Sequence, residues 1–243
     1  MQRYYFNLLL VAMILAFLSS TLLAQPSEKP IVEGFVQTGS NDPKRFEKSI
    51  IAFEKQDQEL PPAKGGILFV GSSSIRLWPV KESFPNRTII HRGFGGSTTT
   101  DLNFYFDRIV LPYEPKVIVY YEGDNDLGQK ISPTKIIENT SHFIDRVHKL
   151  WPETVVLYIP VKPSIKRWGM WVQIQETHKF MREIAAKDDK VIFLETISPL
   201  LKNGEPDSAL FKEDGLHLNE AGYQLWTPIV EAELAKYFPK QPD

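Results

Sequence analysis

Five short apolar runs recur along the chain, each followed by a stretch with helical periodicity. They lie at residues 67–70, 88–90, 117–121, 155–159 and 191–194 and are rich in β-branched side chains. Runs this short, with no polar alternation, suit parallel strands covered on both faces. Between the second and third, Leu102, Tyr105, Phe106 and Ile109 fall at i, i+3, i+4 and i+7. Ser132 and Pro133 make a helix start, with a capping serine and a proline in the first turn. Ile136, Ile137, Phe143, Ile144 and Val147 then share one face, ended by Trp151 and Pro152. Ile174, Met181, Ile184 and Ala185 form another stripe. Leu225, Trp226, Ile229 and Val230 form the last, behind Asn219 as a cap, with Pro228 expected to bend or restart that helix. Phe46, Ile50 and Phe53 predict one more helix ahead of Pro61 and Pro62. Strand and helix in alternation predict an α/β domain with a five-stranded parallel sheet, over residues 43–239. No internal repeat or linker divides it.

The N-terminus predicts a compartment. Arg3 is followed by an unbroken apolar run at residues 8–18 and then by Ser19, Ser20 and Thr21. A basic start, an apolar middle and a small polar end describe an export signal, expected to be cut after Ala24. The run is short for a membrane span of roughly 20 apolar residues, although an uncleaved anchor helix is the competing reading. A periplasmic or secreted protein is therefore expected, with no stable membrane partner once the signal is removed. Residues 25–42, polar and broken by Pro26 and Pro30, read as a leader arm.

Charge and composition remove several classes. Lys and Arg number 28 against 30 Asp and Glu, a net of -2, so no basic excess points to nucleic acid. The 243 residues include no cysteine, which rules out thiolate nucleophiles, zinc fingers, iron–sulfur clusters and a lipid-anchored N-terminus.

In open parallel sheets, ligand sites gather at the C-terminal ends of strands. The first strand runs into Gly71-Ser72-Ser73-Ser74, the second into Gly93-Phe94-Gly95-Gly96-Ser97, and the third into Gly123-Asp124-Asn125-Asp126. After the fifth comes Asp214-Gly215-Leu216-His217. A serine hydroxyl needs a base, usually a histidine oriented by a carboxylate. Asp214 and His217, three apart on a glycine-containing turn, have the spacing for that pair. Backbone N–H groups of a glycine-rich turn and an asparagine amide can serve as donors to an oxyanion.

Those four stretches together resemble the signature blocks of the SGNH hydrolases, also called the GDSL esterase/lipase family. The blocks occur in family order and span residues 71–217. The first departs from Gly-Asp-Ser by carrying Ser72 where aspartate is usual. The resemblance implies a three-layer α/β/α sandwich of flavodoxin-like type. It implies Ser73 as nucleophile, with Ser72 or Ser74 in its place if the register slips, His217 as base and Asp214 as its orienting carboxylate. It further implies an oxyanion hole made of the Ser73 N–H, the Gly96 N–H and the Asn125 side chain, with no cofactor. The Gly-x-Ser-x-Gly elbow of the other large α/β-hydrolase class is absent.

Other residues have plainer readings beside functional ones. Asp124 and Asp126 can suggest a metal, yet two loop carboxylates are more often hydrogen-bonded within the protein, and no metal site is expected. Arg167, Trp168 and Trp171 follow the fourth strand and are candidate substrate-lining residues, since sugar rings stack on aromatics. Packing between helix and sheet is the alternative. His178 reads as core, His142 and His148 as surface, and His91 as a strand end near the glycine block. Tyr121 and Glu122 read as structural. The resulting expectation is a secreted serine esterase acting on short-acyl, acetyl-type esters of small molecules or glycans. A lysophospholipase or thioesterase on the same site is the enzymatic alternative. A catalytically silent carbohydrate-binding protein is the alternative of another class.

Overall fold

The computed structural model describes residues 42–238. The predicted signal peptide, the leader arm up to residue 41 and residue 239 lie outside the described residues. Helix α1 (Glu47–Glu59) leads into β1 (Ile67–Gly71), α2 (Ser73–Arg76) and α3 (Val80–Ser83). Strand β2 (Ile89–Gly93) precedes α4 (Thr99–Phe104) and α5 (Phe106–Ile109), and β3 (Val117–Tyr121) precedes α6 (Asp124–Gly128) and α7 (Pro133–Leu150). Strand β4 (Val155–Tyr158) is followed by α8 (Trp171–Ala185) and β5 (Val191–Phe193). A ribbon of β6 (Leu201–Lys202) and β7 (Glu205–Pro206) then leads to α9 (Glu220–Tyr237).

The main sheet has five parallel strands in the order β2-β1-β3-β4-β5. Strand alternation divides the core in two. Leu68, Val70, Ile118, Tyr120, Val156 and Tyr158 face one way, onto residues of α1, α4, α5, α7 and α8. Ile67, Phe69, Val117, Val119, Tyr121, Val155 and Leu157 face the other, onto Trp78, Phe84 and the Trp226, Val230 and Leu234 stripe of α9. Burial on both faces explains why the strands read as continuous apolar runs, and the result is a three-layer α/β/α sandwich.

Two helical expectations change in detail. The 102–109 stripe is split into α4 and α5 at Tyr105, whose buried hydroxyl donates to the Pro43 carbonyl at 2.9 Å. Helix α9 runs without interruption through Pro228 rather than restarting there. The proline costs one intrahelical hydrogen bond. The burial of Trp226, Val230 and Leu234 on both sides of it keeps the helix on the sheet. As expected, Asn219 caps this helix, its side chain accepting from the Gly222 N–H at 3.1 Å, and Ser132 caps α7.

The chain leaves β1 toward β2 on one side, then crosses to β3 on the other. The strand order therefore reverses between β1 and β3. The crevice beyond the ends of these two strands is where such a sheet offers a site.

Candidate active site

Strand β1 reaches its end beside β3 so closely that only glycine fits. A Cβ on Gly71 would lie 2.0 Å from the Tyr121 carbonyl oxygen, and the residue sits at φ +143°. The chain then turns into α2, whose first residue is Ser73. As the first helical residue, Ser73 has a backbone N–H with no acceptor inside the helix. Its neighbours Ser72 and Ser74 are each 1 % exposed, so Ser73 is the serine of the three presented to the crevice.

The Asp214–His217 turn comes to it from 144 residues away. His217 Nε2 lies 3.0 Å from Ser73 Oγ, and His217 Nδ1 lies 2.5 Å from Asp214 Oδ2. Asp214 Oδ1 also accepts the backbone N–H groups of Leu216 and His217, both at 2.9 Å. Burial works to raise the Asp214 pKa, but these hydrogen bonds outweigh it and hold the carboxyl well below the usual range. A carboxylate fixed this way stays ionised and keeps the ring's Nδ1 protonated and its Nε2 free to accept.

The glycine-rich loop follows β2 and α6 follows β3, the two strands that flank β1. Gly96 has φ +90°, with open space where a Cβ would be, so backbone conformation rather than crowding calls for glycine there. Half-buried Asn125 donates from Nδ2 to the Ser97 carbonyl at 2.9 Å, which leaves its second amide hydrogen for another acceptor. Two further bonds join these loops. Ser97 Oγ donates to Glu122 Oε1 at 2.5 Å, and Thr99 Oγ1 donates to Asp126 Oδ1 at 2.5 Å. The Thr99 N–H also donates to the Asp126 carboxyl, at 3.2 Å.

Of the residues expected at the site, the structure thus groups Ser73, Asp214 and His217 in one hydrogen-bonded row, with Gly96 and Asn125 on loops tied to each other. Arg167 has a different occupation: its Nε donates to Asp124 Oδ1 at 3.2 Å. Trp168 stacks on Trp171, with centroids 4.9 Å apart, and Trp171 meets His178 edge-on. Trp171 lines a hollow of about 560 Å³ with His178, Arg182 and Glu195, and neither Ser73 nor His217 borders it. A second hollow, of about 450 Å³, runs along Ile165, Phe211, Asp214 and Gly215. His178 is core, its Nε2 donating to the Val161 carbonyl at 2.8 Å; burial pushes its pKa down to about 4. His142 and His148 are half-buried rather than surface residues; His148 Nε2 lies 3.0 Å from the Thr154 carbonyl. His91 sits behind α2, its Nε2 2.7 Å from the Ile75 carbonyl.

A charged cluster that sequence reasoning missed lies behind Asn125. Lys162, 1 % exposed, donates to Asp124 Oδ2 at 2.5 Å and to the Tyr121 hydroxyl at 3.0 Å. Burial alone would raise the Asp124 pKa, but the Lys162 ammonium, and then Arg167, hold it below its ordinary value. The signal was present only as a lone lysine in an apolar stretch after β4, at Ile159, Val161 and Lys162.

Comparisons with known proteins bear on the fold and the family. A structure from Streptococcus pneumonia, of a protein provisionally named a platelet activating factor, superimposes with a TM-score of 0.70 at 24 % identity, over 79 % of this chain and 93 % of that one. A GDSL-like lipase from Bacteroides thetaiotaomicron VPI-5482 gives a TM-score of 0.61 at 18 % identity, over 80 % and 98 %. An acetyl-xylooligosaccharide esterase from Geobacillus gives 0.58 at 14 %, over 74 % and 99 %. At these identities the likeness is one of fold. No curated protein matches the sequence. The model of the GDSL-like Lipase/Acylhydrolase family matches residues 78–225, a span that begins after Ser73 and takes in Gly96, Asn125, Asp214 and His217. With more than half of its length matched, the chain belongs to the GDSL-like Lipase/Acylhydrolase family and is a serine ester hydrolase.

Proposed function

We propose that this protein is an exported esterase that removes short, acetyl-type acyl groups from carbohydrate esters, using Ser73, His217 and Asp214. The observation that carries the reading is the continuous row Asp214–His217–Ser73, at 2.5 and 3.0 Å. In the first half-reaction Ser73 Oγ attacks the ester carbonyl carbon while His217 Nε2 takes the hydroxyl proton. The carbonyl oxygen becomes an oxyanion, held by the N–H groups of Ser73 and Gly96 and by the Asn125 amide. The tetrahedral intermediate collapses, the C–O bond to the alcohol breaks, and His217 returns its proton to the leaving oxygen. Water then attacks the acyl-serine with His217 again as base, and the acid and free Ser73 are released. Asp214 stays ionised throughout and stabilises the imidazolium.

The acetyl and carbohydrate parts of the reading draw support from the acetyl-xylooligosaccharide esterase fold neighbour and from the export signal expected at residues 1–24. Trp168 is the aromatic we assign to a sugar ring. The test is hydrolysis of p-nitrophenyl acetate, butyrate and octanoate beside a Ser73→Ala variant. Turnover should fall with chain length and drop by at least about 10⁴-fold in the variant. Retained activity in folded Ser73→Ala rejects the nucleophile. A preference for octanoate rejects the acetyl assignment in favour of a lysophospholipase or thioesterase.

A further inference from the structure

Glu122 is the last residue before the Gly123-Asp124-Asn125 turn, and it is 1 % exposed. Burying a carboxyl is costly unless its bonds are made. Among the described residues Glu122 makes one: it accepts from Ser97 Oγ at 2.5 Å through Oε1, while Oε2 is buried without a partner there. Burial first, and then the negative charge of Asp126, push its pKa well above the carboxylate range. A leucine or methionine would fill such a place at less cost to stability. The one contact it does make has a specific address. Ser97 follows Gly96 directly, and the Ser97 carbonyl is the acceptor that orients Asn125 Nδ2, at 2.9 Å. One residue therefore stands between both non-serine donors of the oxyanion hole, and Glu122 holds its side chain.

We infer that Glu122 is a positioning residue: by gripping the Ser97 hydroxyl it fixes the Gly96 N–H and the Asn125 amide in the orientation that receives the oxyanion. The inference rests on the proposed roles of Gly96 and Asn125. Donors that are pre-aligned need no reorganisation at the moment the charge develops, so loosening them lowers turnover and leaves ground-state binding alone. Thr99 and Asp126 join the same two loops by bonds of their own.

The test is a set of variants assayed for kcat and KM on p-nitrophenyl acetate, each checked for folding by circular dichroism. Glu122→Ala and Ser97→Ala should each lower kcat about 10-fold with KM within about twofold of the parent. Glu122→Gln keeps the acceptor for Ser97 Oγ and should restore kcat to within about threefold, whatever it does to the melting temperature. Asn125→Ala alone should cost about 10²–10³-fold. In that background Glu122→Ala should cost clearly less than its loss in the parent, because only the Gly96 N–H is left for it to position. Should Glu122→Ala fail to fold, Ser97→Ala and its double with Asn125→Ala carry the same comparison. Unchanged kcat in Ser97→Ala, equal losses in Glu122→Gln and Glu122→Ala, or additive losses with Asn125→Ala overturn the inference. An Asn125→Ala protein with parental kcat instead overturns the underlying oxyanion assignment, which separates the two failures.

Discussion

Two glycines of the site are required for different reasons, and the difference is measurable. At Gly71 a side chain meets the backbone of β3, which cannot move without opening the sheet. At Gly96 a side chain meets nothing, and only the positive φ opposes it. Gly96→Ala should therefore cost about 1–2 kcal/mol in urea denaturation, the strain of one left-handed residue. Gly71→Ala should cost well over that and lower the yield of folded protein. Asp126 offers a second test at this scale. Burial raises its pKa from 3.8 to about 6, against the hydrogen bonds from Thr99. Its protonated form is favoured by folding, so its contribution is intact below about 3.8 and lost as pH rises through about 6. Asp214 works in the opposite sense: its folded value is depressed, and its contribution is present at neutral pH and lost in acid. Between pH 4.5 and 7.5, Asp126→Asn should show a flatter melting-temperature profile than the parent. Serine, histidine and aspartate were legible residue by residue because their chemistry restricts them to few types. The role of Ser97 was not, since nothing in a serine's neighbours reveals which buried carboxyl its hydroxyl will meet.

Between elements, the buried pair of Lys162 and Asp124 joins the segment after β4 to the first turn of α6. Arg167 adds a second cation to the same carboxylate. Removing one member of a buried pair leaves the other without compensation. Lys162→Met should cost about 3–5 kcal/mol in denaturant melts, and adding Asp124→Asn should return part of it. If the double variant loses the sum of the two single losses, the pair is not coupled. Strand positions and most helix faces could be read from spacing, because a face that packs on a sheet must repeat every 3.6 residues. The clamp could not, because its partners are 38 residues apart and no periodicity links them. The same limit explains Pro228: its local effect was readable, but the buried stripe of α9 that overrides it belongs to the packing. It also explains Arg167, which looked available for substrate while its carboxylate partner lay on another loop.

Across the whole molecule, the alternation of strands and helices made the sheet legible, and the glycine and polar clusters at strand exits marked the site. The strand order came from none of these; it depends on which crossovers the helices permit. The export reading yields its own expectation: N-terminal sequencing of protein recovered outside the cytoplasm should begin at Gln25, and an intact Met1 would favour the anchor. The proposed nucleophile Ser73 and its proposed base His217 are separated by 144 residues, with all of β2 to β5 between them. Ser73 emerges early from a ribosome or a translocation channel and His217 almost last. Ser73 lacks its proposed base until residue 217 has emerged, so hydrolytic activity is expected to report on a nearly complete chain. On the proposed export route, a precursor still threaded through a membrane would carry a serine without its base.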